Sequence, residues 1–304
     1  MVMVTIPRFG GTLAFLMSWF VPWRPILRVR SAQSDLAFFV HRRDAIGRHI
    51  AKYGTHEPLL TKWLSDYLTA AQPGLFIDVG ANLGWHALHA ARHDTIETVV
   101  AFEPDPFNVQ LLEQNRSLNN ISKLVIKASA AGAECGSARL YSYKNSNLGR
   151  HSLVTDYGYE SQIVPLVTLD QALAELGLDD QPVTALKIDV EGFEPAVIAG
   201  ASQTLKRTYA VILEYSPELS ATSSLSTEDM VTHLCNAGLV PFALRVTGGA
   251  SRVGIDELLA FKGQIDIIWI RGKSTTTQDV TTNATVCGEL VELAEANKVV
   301  VKPI

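Results

Sequence analysis

The stretch Leu75-Phe76-Ile77-Asp78-Val79-Gly80-Ala81-Asn82-Leu83-Gly84 constrains this chain more than any other. Its apolar run, Leu75 to Val79, reads as a buried strand. Two glycines four residues apart follow, and a helical pattern starts at Trp85. That order predicts a strand, a tight turn and a helix, with the backbone passing close to a small ligand. Gly80 turns the chain with no Cβ in the way, and Gly84 lets helix and ligand approach. Asp78 ends the strand, so its carboxylate is expected in the crevice above the sheet, where open α/β folds bind ligands.

The turn departs from G-x-G-x-x-G, because Asn82 stands where the second glycine belongs. A pyrophosphate needs that bare backbone, so a dinucleotide fits poorly. An acid followed by Gly-x-x-x-Gly suits a ligand with a cationic ammonium, and S-adenosylmethionine is such a ligand. One unit further on, Thr98 to Phe102 forms a second apolar run, closed by Glu103-Pro104-Asp105-Pro106. Glu103 lies nineteen positions after Gly84. A βαβ unit places there a carboxylate that accepts both ribose hydroxyls. Pro104 and Pro106 are expected to end the strand sharply.

The third informative stretch is Thr184-Ala185-Leu186-Lys187-Ile188-Asp189-Val190-Glu191-Gly192-Phe193-Glu194. Strand alternation puts Lys187, Asp189 and Glu191 on one side, where the lysine neutralises part of the carboxylate pair. Charges beside a sheet are costly unless paired or used, so this edge reads as a site. The helix after the glycine turn carries His86, His89 and His93, at a spacing that invites a metal reading. Ala87, Leu88, Ala90 and Ala91 supply its apolar face, with the histidines largely opposite, so no metal site is expected there.

Elsewhere the chain is ordinary α/β material. Asp44 to Ala71 shows two helical stripes separated by Gly54, flanking the sheet or lying over the crevice. Strands are expected at Leu124–Ile126, Ala138–Tyr143, Leu239–Leu244 and Ile265–Ile270. Ala128 to Gly136 is either room for a flat adenine ring or a plain loop. Arg150 and His151, in the polar loop from Lys144 to Leu153, either meet a polar acceptor or are solvated. Thr247 to Ala260 reads as a substrate-facing loop.

These motifs, with Thr168-Leu169-Asp170 and Ile212-Leu213-Glu214, resemble the FkbM-type S-adenosylmethionine-dependent methyltransferases, over about Asp44 to Arg271. The resemblance implies a class I (Rossmann-like) α/β fold, a seven-stranded methyltransferase sheet with helices on both faces. It also implies O-methylation of a sugar or natural-product hydroxyl. Carried over by position, Asp78, Gly80, Asn82, Gly84 and Glu103 contact the cofactor. Asp189, Glu191 and Glu214 line the methyl-transfer edge, with Lys187 beside them. Ser216 stands where family members often show histidine, so no general base is borrowed at that place.

Residues 1–43 then read as an apolar extension, 44–271 as the methyltransferase domain and 272–304 as linker and tail. Within the extension, Gly10 to Trp23 is too short to span a bilayer. A segment packed on the domain, a membrane-surface contact and a homo-oligomer contact all stay open for it. The net charge of −5 argues against nucleic acid as a partner. Cys135, Cys235 and Cys287 are odd in number and scattered, which suits a cytoplasmic protein without disulfides.

The expected reaction moves a sulfonium methyl to an oxygen of a small-molecule or glycan acceptor, with Asp189 and Glu191 as proton acceptors. A divalent cation held by that pair is the alternative chemistry, against which Lys187 argues. Two rival functions are a nicotinamide-dependent sugar oxidoreductase and a non-catalytic partner in carbohydrate biosynthesis. Asn82 argues against the first; the intact acids Asp78, Glu103 and Asp189 argue against the second.

Overall fold

A computed structural model of the chain describes residues 25–143, 151–221, 225–245 and 249–272. The apolar stretch 10–23, Arg150, Cys287 and the tail from residue 273 lie outside the described residues. The chain opens with an antiparallel hairpin, β1 (Ile26–Arg30) and β2 (Ala37–His41), followed by α1 (Ala45–Tyr53) and α2 (Pro58–Ala70). Asp44 caps α1 by accepting from the Gly47 amide, and Gly54 ends it in the left-handed conformation. Strands and helices then alternate: β3 (Gly74–Val79), α3 (Trp85–Ala90), β4 (Ile96–Phe102), α4 (Pro106–Leu118) and β5 (Leu124–Lys127).

A small side sheet follows, made of β6 (Ala130–Ala131), β7 (Gly136–Tyr141) and β8 (Ser161–Val167). Alternation resumes with α5 (Leu169–Glu175), β9 (Val183–Ile188), α6 (Glu194–Ala199), α7 (Ser202–Lys206) and β10 (Ala210–Tyr215). The last elements are α8 (Pro217–Ser220), α9 (Thr227–Asn236), β11 (Leu239–Leu244), β12 (Ala250–Arg252), α10 (Ile255–Ala260) and β13 (Ile265–Arg271).

The main sheet runs β12-β11-β13-β10-β9-β3-β4-β5. Its strands β10, β9, β3, β4 and β5 are parallel, and β13 pairs antiparallel with β10. Every residue of β3, β9 and β10 is buried, as near-continuous apolar strands covered on both faces must be. On one face, Phe76, Ala185 and Ile212 meet α2, α3, α4 and the hairpin. On the other, Ile77, Leu186 and Leu213 meet α5, α6 and α9. This is the Rossmann-like α/β arrangement expected, with eight strands rather than seven. The extra strand is β12, which comes from the stretch expected to face substrate. Val253 and Leu258 are buried, so residues 250–260 fold onto the sheet edge, four strands away from β9.

The hairpin, which the sequence places in an extension, contributes Leu36, Phe38 and Val40 to the first core. Two asparagines, Asn115 in α4 and Asn119 at its C-terminal cap, serve as its ladder partner. Asn115 accepts from the Phe39 amide at 2.6 Å and donates to its carbonyl at 3.2 Å. Asn119 does the same for Ala37, at 2.9 and 2.7 Å. One turn of helix thus matches the two-residue repeat of a strand, and the β2 edge is satisfied. Phe38 is fully buried, its ring centroid 4.7 Å from that of Trp85. Phe38→Ala should therefore cost roughly 3–5 kcal/mol in urea unfolding; a loss under about 1 kcal/mol would mean the hairpin is not integral to the core.

Candidate active site

The C-terminal ends of β3, β4 and β9 open into a crevice of about 540 Å³, including its solvent-open part. Its walls include Gly80, Asn82, Glu103, His151, Asp189 and Glu191. The glycine turn is stitched to both neighbours: the Gly80 and Ala81 amides donate to the Phe102 carbonyl, and the Asp189 amide donates to that of Val79. A Cβ on Gly80 would lie 2.0 Å from the Asp189 carbonyl oxygen, and Gly80 has φ +80°. Asn82 is left-handed too, at φ 50°. Asparagine tolerates that region better than most side chains, and its Oδ1 accepts from the Leu83 amide. Asn82 therefore keeps a glycine-like backbone without the bare surface a pyrophosphate needs.

Glu103 stands just past β4, with 5 % of its surface exposed. It accepts from the Asn82 amide at 2.8 Å and from the Asp105 amide at 2.9 Å. The Asn108 side chain adds a long bond of 3.5 Å. Burial outweighs these bonds and pushes its pKa up to about 7. Asp105 caps α4 through the Phe107 and Asn108 amides. Pro106 begins that helix rather than merely ending the strand, because the first helical position needs no N–H.

Lys187 and Asp78 are direct neighbours across the parallel β9–β3 pair. The lysine ammonium lies 3.8 Å from Asp78 and 3.3 Å from Asp189, tying a buried acid to one on the crevice wall. Burial raises the pKa of Asp78, and Lys187 is the foremost influence opposing that rise. Glu191 does not reach the crevice by strand alternation, since β9 ends at Ile188. A turn carries it there, with Glu191 at φ 53° and Gly192 at φ 100°. Glu194 accepts from the Val190 amide at 2.9 Å and the Gly192 amide at 3.0 Å. Its burial, aided by the neighbouring Glu214, lifts its pKa to about 8.

The crevice wall thus brings together Gly80, Asn82, Glu103, Asp189 and Glu191. Asp78, Lys187 and Glu214 are buried behind it. Gly84 serves packing: a Cβ there would come within 2.2 Å of Leu112. Ser129, Ala130 and Ala131 do line the crevice, as does His151, whose pKa burial lowers. Asn108, Ser152 and Glu194 were not singled out by sequence as site residues. The Asp105-Pro106-Phe107-Asn108 helix start after Glu103 is the signal that could have exposed the first. The histidines of α3 are not on an exposed face, because the hairpin and α2 cover that helix. His86 is buried against Glu57 at 2.9 Å. His89 donates from Nδ1 to the Trp85 carbonyl and accepts from Ser34, and burial holds its pKa at about 4. Among the described residues, no three His, Cys, Asp or Glu side chains are grouped to hold a metal ion.

The family model for the methyltransferase FkbM domain matches residues 78–239, more than half of the chain. The chain belongs to this family. A curated relative, Methyltransferase 1 of Beauveria bassiana (strain ARSEF 2860), is 26 % identical over 162 residues. That match spans 48 % of this chain and 65 % of the relative, just under two thirds of its length. Among solved structures, the FkbM methyltransferase of Methylobacillus flagellatus KT aligns at TM-score 0.40 and 15 % identity, over 65 % of this chain and 43 % of that one. TYW2 of M. jannaschii, solved with AdoMet, aligns at 0.38 and 10 %, over 82 % and 87 %.

Within this FkbM domain the two motif glycines do different work, and their alanine variants should differ. Gly80→Ala drives a carbon into a backbone carbonyl in the crevice wall, at a φ that L residues resist. Gly84→Ala presses on the movable ends of Leu112 and Leu88. Thermal melts should show the larger loss for Gly80→Ala. An equal or smaller loss would mean that the β3–β9 seam can open without cost.

Proposed function

We propose that this FkbM domain is an S-adenosylmethionine-dependent methyltransferase acting on an oxygen nucleophile, most simply a sugar hydroxyl of a glycan, glycolipid or glycosylated natural product. One observation carries the reading. The crevice wall holds three carboxylates, Glu103, Asp189 and Glu191, and no lysine or arginine among its described residues. Such a donor set suits a cationic ligand with hydroxyls to donate, and it repels phosphates. When bound, S-adenosylmethionine supplies an electrophilic methyl on a cationic sulfonium.

The chain's own groups fit the remaining tasks. Glu103 accepts from ribose hydroxyls, trading the bonds it now takes from the Asn82 and Asp105 amides. Ser129 to Ala131 leave space for a flat ring. Asp189 and Glu191 accept the proton that the acceptor hydroxyl loses as its oxygen forms the new bond. Lys187, 3.3 Å from Asp189, already places a positive charge beside this pair, so activity is expected to persist in EDTA. His151 adds a polar side chain to the crevice wall, which suits a polar acceptor.

Calorimetric titration tests the cofactor half. S-adenosylmethionine should bind and NAD should not, and Glu103→Gln should weaken binding about 10-fold, or about 1.4 kcal/mol. Hydroxyl donors favour ionised Glu103, which is protonated below about pH 7 in the free protein. Affinity should therefore rise as pH increases through 7, with proton release on binding. NAD binding, or an affinity that falls with pH, would contradict the reading. Transfer of labelled methyl from S-adenosylmethionine into glycolipid or polysaccharide fractions tests the acceptor half.

A further inference from the structure

Glu191 stands in the crevice wall on a backbone that side-chain-bearing residues rarely adopt. Such a conformation persists only where the surroundings over-determine it. Two buried side chains do so here. Glu194, 1 % exposed, accepts from the amides on either side of Glu191. Ser152, also 1 % exposed, donates its hydroxyl to the Glu191 carbonyl at 3.0 Å. The same Ser152 oxygen accepts from the Val154 and Thr155 amides, both at 3.1 Å. Ser152 belongs to a different wall, bridged through its backbone to Tyr141 at the end of β7. It follows His151, which also lines the crevice.

We propose that Ser152 and Glu194 are positioning residues, which clasp the Val190–Gly192 turn and thereby aim the Glu191 side chain into the crevice. The inference rests on the reading of Asp189 and Glu191 as proton acceptors, and deepens it. Glu194 does not act as a solvated surface acid, because it is buried and accepts from main-chain amides. Gly192 completes the turn: a Cβ on it would lie 2.8 Å from the Leu219 carbonyl. The turn is thus held by Glu194 and Ser152 and packed against Leu219 of α8. Removing the hydroxyl leaves the Glu191 carbonyl and two amides without that partner, and the left-handed residue loses that restraint.

The test needs no acceptor. The full chain, carrying ¹³C-labelled glutamate carboxyls, is titrated by NMR as wild type, Ser152→Ala, Ser152→Thr and Glu194→Gln, with Glu191 assigned through Glu191→Gln. Melting temperature and S-adenosylmethionine affinity are measured alongside. The proposal predicts that the Glu191 titration midpoint moves in Ser152→Ala and Glu194→Gln and returns to the wild-type value in Ser152→Thr. Every variant should still bind S-adenosylmethionine, because Glu103 lies on another loop. A Glu191 titration unchanged in both Ser152→Ala and Glu194→Gln would overturn the proposal. So would a shift that Ser152→Thr fails to restore while the fold stays intact. Absence of S-adenosylmethionine binding in every form would instead refute the cofactor reading, and the Glu191 titration would still decide the clasp.

Discussion

The backbones of Gly80 and Asp189 meet so closely that no side-chain carbon fits between them. The rest of the site follows from this seam. β3 and β9 are adjacent parallel strands, and their chains leave the sheet at the same level. With the glycine turn bonded to Phe102 on one side and Asp189 bonded to Val79 on the other, three strand ends are locked together. The residues just past those ends, Glu103 and Asp189, then have nowhere to go but toward a shared crevice. Open α/β sheets bind ligands at this place because the loops there diverge above a rigid floor.

The floor is electrostatically expensive. Asp78 and Glu194 are buried acids with raised pKa values, and Glu103 sits near neutrality. Main-chain amides and the single Lys187 ammonium offset part of that cost, as buried carboxylates require. Acidity left over at the crevice wall is what a cationic ligand would relieve. No helix of the described residues is long and apolar enough to cross a membrane.

Much of this was legible in the sequence, for a physical reason. Central parallel strands are largely apolar runs, so Leu75–Val79, Thr98–Phe102 and Thr184–Ile188 announced themselves, as did the glycines and acids that close them. Elements whose stability comes from distant partners did not. The hairpin is short, and Asn115 and Asn119 complete it from 76 and 82 residues away. β12 is only three residues long and exists because β11 offers it an edge. The conformation of Glu191 was hidden as well, since its restraints come from Glu194 and from Ser152, 39 residues upstream. His86 looked exposed by helical periodicity, yet it is buried against Glu57 and His56 at the start of α2. Periodicity describes one helix and not what packs on its far side.

Cofactor binding would have Glu103 exchange its main-chain bonds for those of a ligand in the crevice. A crystal structure of the chain with S-adenosylhomocysteine tests that directly. The account predicts the nucleoside between the glycine turn and Ser129–Ala131, with both ribose hydroxyls within hydrogen-bond distance of the Glu103 carboxylate. A ligand seated elsewhere, or one in the crevice with Glu103 still held by the Asn82 and Asp105 amides and out of reach of the ribose, would contradict it.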